Sequence, residues 1–529
     1  MNEAVAVALQ RVLLDPQLWV IILASAVFGV FIGSVPGLTA TMAVALLVPL
    51  TYWLDPISAL AAIVTLEACA IFAGDIPAVL VRIPGTPASA AYTDIAHGLT
   101  LRGKADLALG INLTSSVVGG LFGAVVLILL GHQLARTAAW FSVAEYFWLY
   151  LLGLSCAVVV SHGPLLSSLF ALLIGLLLST VGLSAVHTQA RFTFGIPDLY
   201  QGINFIPAMI GLFGVSEVLK NLLVLEPPGQ VVSSPTAAEP VSKRVGAVQR
   251  LVVRPLHVMF LAPLALIARH KGSHLRSGVI GTLVGILPGA GADIASWVSL
   301  AVSRRSSRHL DQGPESEATL NALSDSTTAN NAALAGAWIP ALVFGIPGDS
   351  VTAIVLGVLL MKNIKPGPEI FEKQAVLVYS LYVVFLLANL VLIPVGLLAC
   401  KVGTYCVRMP RRVLLPVILL SCVLGSHAIN GSTFDIVIML VMGVLGFVLE
   451  RRQVPLGPIV LGIILGGPLE ERFIQTLTGA DGSPLAFVDR PLAAGLALIW
   501  LALWGSTIIW HIVRGRSASS QSVEPKAGA

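Results

Sequence analysis

Charge is scarce in this chain. Of 529 residues, 11% are Asp, Glu, Lys or Arg, against roughly 25% in an ordinary soluble domain. That scarcity excludes a nucleic-acid-binding protein, a charged coiled coil and a disordered chain. Cysteine is scarce too. Cys69, Cys156, Cys400, Cys406 and Cys422 make an odd count with no CxxC pair, and most lie in apolar runs. They read as helix filler rather than a disulfide framework. HExxH, GxSxG and clustered Cys/His patterns are missing, so the chain is expected to hold no tightly bound metal or cofactor and to be no enzyme. Gly98–Ala105 (GLTLRGKA) imitates a phosphate loop but lacks its Ser/Thr and a preceding strand, so it reads as a basic cytoplasmic loop. The histidines are scattered. His97, His162 and His187 sit near segment ends, where an imidazole is ordinarily solvated.

What the chain has in abundance is apolar length: 56% hydrophobic residues and a mean hydropathy of +0.90. The runs are continuous, unlike the alternating pattern of a membrane β-barrel. With roughly 20 apolar residues per helical span, the expected fold is all-α. It is a polytopic membrane protein of about 12 helical segments. The N-terminus lacks the basic start and cleavage site of a secretory signal, so the first span reads as retained. A polar stretch rich in Pro, Ser, Ala and Gln, within 226–254, divides the chain. The expected organisation is a first transmembrane repeat over 1–225, that linker, a second repeat over 255–513 and a disordered tail over 514–529.

The two parts repeat one another. GVFIGSVPGLTA (29–40) matches GTLVGILPGAGA (281–292) at an offset of 252. IPAVLVRIPG (76–85) matches IPALVFGIPG (339–348) at 263, and Pro207/Gly211 match Pro458/Gly462 at 251. Three collinear pairs at nearly one offset indicate homologous halves. The span count does not decide whether they lie parallel or inverted.

Each repeat places Pro-Gly inside an apolar segment. Proline breaks the helical hydrogen-bond ladder, and in hydrocarbon an unpaired backbone group costs several kcal/mol. Broken or re-entrant helices therefore survive only inside protein or beside water, and transporters put their substrate and ion sites there. The breaks nominate Thr39, Thr41, Gly85, Thr86, Ser89, Gly348, Ser350 and Thr352 for an anionic guest. Glu67, Asp293, Asn330, Asn331 and Asp349 are nominated for a coupling cation, with Asp293, Asn330 and Asp349 able to take sodium. The competing reading is a set of helix caps, which Ser, Thr and Asp form routinely. Glu67, Asp75, Asp293 and Asp349 all lie in or beside apolar segments, where an acid is a functional hypothesis by default. Gly29/Gly33 and Gly281/Gly285 suit close helix packing better than ligand contact.

These stretches resemble the large membrane subunit of the tripartite tricarboxylate transporters, the TctA family, over about Trp19 to Trp510. The resemblance is carried by GSVPGLTATMAVALLVPLTYWLD (33–55), IPGTPASA (83–90), RFTFGIPDLYQGINFIPAMIGLFGVSE (191–217), GILPGAGADIAS (285–296), the stretch 330–368 with NNAALAG, GIPGDSVTA and KPGP, and GPIVLGIILGGPLE (457–470). It implies a multi-pass subunit of a bacterial inner-membrane importer of citrate-like or other carboxylates. Such a subunit acts with a periplasmic solute-binding protein and a small TctB-like membrane subunit, driven by a sodium or proton gradient. One segment departs from the pattern. EACAIFAGDIPAVLVR, carrying Glu67 and Asp75, stands where the family is usually richer in Gly, Tyr and Ser. Two other classes remain open on the residues alone. A membrane-embedded enzyme would turn over substrate without a gradient. A passive anion channel would show flux independent of a cation gradient or binding protein.

Overall fold

The protein, seen in a computed structural model, is described over residues 2–35, 38–161, 164–184, 189–223, 257–307, 313, 316–407 and 411–521, apart from the side chains of 404–407, 411–414, 429 and 510–521. The linker expected over 226–254, Pro36-Gly37, His162 and His187 fall outside those residues.

The described chain is helical apart from a two-stranded antiparallel ribbon that pairs Gly182 with Arg191 and Leu183 with Ala190. The first half runs α1 (Asn2–Leu14), α2 (Pro16–Gly33), α3 (Ala40–Thr51), α4 (Pro56–Ala73), α5 (Asp75–Val81), a single turn Pro87–Ala90, α6 (Thr93–Thr100), α7 (Ala105–Ala138), α8 (Val143–Val160), α9 (Leu165–Ser179) and α10 (Phe205–Leu223). The second runs α11 (His257–Arg269), α12 (Lys271–Ile286), α13 (Gly291–Ser306), α14 (Glu317–Phe344), α15 (Ser350–Met361), α16 (Ala375–Val407), α17 (Arg411–Asn430), α18 (Thr433–Arg451) and α19 (Gly457–Thr478), followed by α20 (Pro491–Gln521). Among the described residues eight helical stretches are long and apolar enough to cross a membrane, and five more are apolar but shorter. The chain is thus an all-α, multi-pass membrane protein. Its last helix carries the backbone through Gln521, past Arg514, where the sequence placed the start of a disordered tail. Nothing between 514 and 521 is a proline or glycine other than Gly515, so the helix has no strong local stop.

The motifs that repeat in sequence make the same contacts in space. Gly29 and Gly33 of α2 lie against the carbonyls of Leu66 and Ala70 on α4. Gly281 and Gly285 of α12 lie against those of Ala329 and Ala333 on α14. Both contacted carbonyls are displaced by 263 residues between halves. A Cβ at any of the four glycines would come within 2.4 Å of an oxygen, so these backbones approach as closely as only glycine permits. Farther on, Gly85 packs on Gly74, and Gly348 packs on Ala337, again 263 residues later.

Equivalent helices meet head to tail. Trp338 of α14 donates to Glu67 of α4 (3.4 Å). Asp75, just past α4, reaches Asn330 of α14 through Tyr92. Glu67 and Asn330 are equivalent positions, as are Asp75 and Trp338, so α4 and α14 cross antiparallel. The same holds for α7 and α16: Leu113 lies against Gly396, Gly120 against Asn389 and Gly131 against Tyr382. Antiparallel pairing of equivalent helices is the arrangement that a twofold axis across them would give.

The centre is polar. α14 begins EATLNALSDSTTANN, yet every residue from Asn321 to Val343 is buried. Much of it is bonded to neighbouring helices: Ser324 Oγ lies 2.6 Å from Ser115 Oγ, Ser326 donates to the Ser296 carbonyl (2.9 Å), and Asn331 donates to Ser116 (2.9 Å). Buried polar groups persist in a membrane protein when they find such partners. At the periphery, α20 is mostly lipid-facing in character, with 11% of its apolar window buried. Trp500 and Trp504 both donate to Ser155 of α8 (2.9 and 3.1 Å).

Candidate functional site

Each break is built by ordinary helix chemistry. Thr39 caps α3, its hydroxyl accepting from the Met42 amide (3.2 Å). Thr86 and Ser89 form a reciprocal capping box on the single turn Pro87–Ala90. At the position 263 residues later, Asp349 and Thr352 form the same box on α15: Thr352 N–H donates to Asp349 (2.8 Å), and the Asp349 amide donates to Thr352 Oγ1 (2.9 Å). In the remaining break, Gly289 (φ +80°) and Gly291 (φ +57°) take the left-handed conformation that favours glycine. The two second-half breaks are tied together, Gly289 N–H donating to the Gly348 carbonyl (2.8 Å).

The breaks of the two halves interlock. The Pro87–Ala90 turn packs on α13, and α15 packs on α3. Four helix starts, two from each half, therefore line one cavity of about 330 Å³. Of the nominated residues, Thr39, Thr41, Thr86, Glu67, Asp293, Asn330, Asp349 and Ser350 line it. Gly85, Ser89, Gly348, Thr352 and Asn331 do not. Ser89 and Thr352 are consumed by the capping boxes, and both are fully buried. Gly85 and Gly348 are packed on backbone or Cβ atoms of Gly74 and Ala337. Asn331 faces α7, bonded to Ser116. The capping and site readings thus coincide for Thr39, Thr86 and Asp349, which cap helices while lining the cavity. Pro36-Gly37 lies outside the described residues.

One part of the lining was missed in the sequence. Lys220 of α10 bridges Glu217 (2.9 Å), one turn back, and Glu450 (3.2 Å) at the end of α18. All three border the cavity. The π-helical turn Ile210–Val215 precedes Glu217 and Lys220, in a helix that the sequence marked through its Pro207/Gly211 match and the 191–217 resemblance. Wide turns of this kind cluster at functional sites. Counted together, the lining carries five acids (Glu67, Glu217, Asp293, Asp349, Glu450) and one cation.

All four starts present amide N–H groups, and the longer α3, α13 and α15 add the positive end of a helix dipole, roughly half a charge each. A carboxylate placed among four such ends meets donors from both halves. The acids around them attract cations into the same space, so the arrangement suits an anion that enters with its counterions.

Comparison with known proteins decides the family. Residues 19–461 match the tripartite tricarboxylate transporter TctA family. This chain belongs to it. An Agrobacterium vitis protein described as an uncharacterized 52.8 kDa protein in the TAR-I ttuC' 3' region is 30% identical over 474 residues, covering 90% of each chain. A second from the same organism, described as an uncharacterized protein in the TAR-II ttuC' 3' region, is 31% identical over 226 residues, or 42% of this chain and 93% of that protein. No solved structure matches. Membership makes this TctA protein a membrane subunit of a tripartite tricarboxylate transporter, a class that works together with further subunits.

Proposed function

We propose that this TctA protein is the transmembrane path of a cation-coupled secondary importer of organic di- and tricarboxylates in a bacterial inner membrane. It is fed by a periplasmic solute-binding protein and assembled with a small TctB-like membrane subunit. The observation that carries the reading is the convergence of four helix starts, two per half, on one cavity. In this reading the α3, α13 and α15 amides, with the Thr39, Thr41, Thr86 and Ser350 hydroxyls, hold the substrate carboxylates. Lys220 offers an ammonium beside them. The acids support cation coupling: a multivalent anion settles more readily beside Asp293, Asp349 and Glu67 when sodium ions or protons enter with it. The contacts recurring at a 263-residue offset support two halves, 1–225 and 255–513, and their antiparallel crossing supports inversion. Rocking one half against the other would expose the cavity alternately to each side.

Uptake into vesicles decides it. Citrate and smaller di- and tricarboxylates are offered with an imposed sodium or proton gradient, with and without the binding protein. Accumulation that requires a gradient and rises with the binding protein is expected. Asp349→Ala and Asn330→Ala should reach the membrane and lose uptake. Full uptake by both variants, or flux indifferent to any gradient, contradicts the proposal.

A further inference from the structure

At the edge of the cavity, which Asn330 borders, the contact between the halves holds a polar triad that lacks one donor. Tyr92 O–H donates to Asp75 Oδ1 (2.6 Å), and the Asn330 amide donates to the Tyr92 oxygen (3.4 Å). Asp75 and Tyr92 belong to the first half and Asn330 to the second. All three side chains are fully buried. Two oxygens remain without a partner, Asp75 Oδ2 and Asn330 Oδ1. Both are acceptors, and each belongs to a group bonded to the Tyr92 hydroxyl, Asp75 through Oδ1 and Asn330 through its amide nitrogen.

A carboxylate cannot stay charged in such a place without a cation. Several elements pack on Asp75, and their titratable groups are accounted for. On α4 these are Glu67, held by Trp338, and Cys69. On α6, Asp94 pairs with Arg82 at the surface, and His97 bonds the Val79 carbonyl. Asp106 lies on α7, and Cys400 and Lys401 on α16. Among the described residues no Lys, Arg or His forms an ion pair with Asp75.

We propose that Asp75 is the carrier of the coupling proton: its Oδ2 bears a proton donated towards Asn330 Oδ1, closing a hydrogen-bonded ring across the two halves. One proton satisfies both orphan oxygens. Loss of that proton leaves a buried anion beside an acceptor, and the ring opens. Protonation is thereby linked to whether Tyr92 and Asn330 stay together, which is to say to the relative position of the halves. The inference rests on the importer reading and names its coupling ion. Asp75 does not itself line the cavity; it joins it through Tyr92 and Asn330, in the very segment that departs from the family pattern.

The first test needs no substrate. Infrared difference spectra of wild type against Asp75→Asn, in lipid at neutral pH, should show a protonated-carboxyl stretch in wild type that the variant lacks. Its presence in both, or absence from both, overturns the proposal. The second test uses citrate and smaller carboxylates in vesicles without sodium. Wild type should accumulate label under an inward acid gradient. Asp75→Asn keeps the ring's geometry with an amide donor, so it should exchange internal for external label yet lose accumulation. Tyr92→Phe, which removes the ring's centre, should weaken coupling in the same direction. Accumulation by Asp75→Asn equal to wild type, loss of exchange along with accumulation, or wild-type accumulation that demands sodium contradicts the inference. Absence of any carboxylate flux in wild type overturns the importer reading itself, and the infrared band still decides the proton.

Discussion

Lys220 shows how a site residue can escape notice in the sequence. It sits in SEVLKNLL, at the polar end of an apolar run, with no motif around it. Its second partner, Glu450, lies 230 positions away. An ammonium has three donors, and two are taken by Glu217 and Glu450, which leaves one for a guest in the cavity. Losing a hydrogen bond to a charged group costs about 1.5–3 kcal/mol, and about 1.4 kcal/mol is tenfold in affinity. Lys220→Gln should therefore raise the KM for carboxylate uptake at least about tenfold, with the protein still present in the membrane. An unchanged KM in concentration-dependent uptake would remove Lys220 from the binding machinery. By contrast, Thr39, Thr86 and Asp349 were legible because helix starts after Pro-Gly have a local signature. Ser89 and Thr352 share that signature but spend their hydroxyls on capping, which spacing alone does not reveal.

Among the elements, the long apolar helices were legible from hydropathy. α14 was only half so: the sequence marks an apolar run from Ala329, while the helix starts at Glu317. Its first three turns are polar because they face Ser115, Asn112 and Ser296 rather than lipid. Hydropathy measures lipid exposure, and α14 has little. In the sequence the apolar run that begins at Leu165 reaches Val186, whereas α9 stops at Ser179 and gives way to the ribbon. Arg191 at the ribbon's end forms a two-bond ion pair with Glu470 of α19 (2.8 and 2.9 Å). Glycine packing yields a prediction at this scale. Gly281→Val would drive a side chain into the Ala329 carbonyl, 2.3 Å from the new Cβ. Overpacking of this kind costs about 1–3 kcal/mol, so the melting temperature in detergent should fall clearly. Gly495→Ala, with nothing within 4 Å, is the control that should leave it unmoved. Equal melting of the two variants would refute the close approach of α12 and α14.

For the whole molecule, the offset between halves was visible in the sequence and their relative orientation was not. Repeated motifs state which positions correspond. Only the antiparallel meetings of Glu67 with Trp338, and of Gly120 with Asn389, state how the copies face each other. In the proposed inversion the breaks of one half stand beside those of the other, where four helix starts line one cavity. The most direct measurement of that claim is substrate protection at Ser350. In a background freed of native cysteines, Ser350→Cys is alkylated in membranes with and without the transported carboxylate. Slower alkylation in the presence of the carboxylate, with no such effect at a lipid-facing control such as Leu498→Cys, is the predicted result. A carboxylate that is carried across the membrane yet leaves the rate at Ser350→Cys unchanged would contradict the cavity as its binding site.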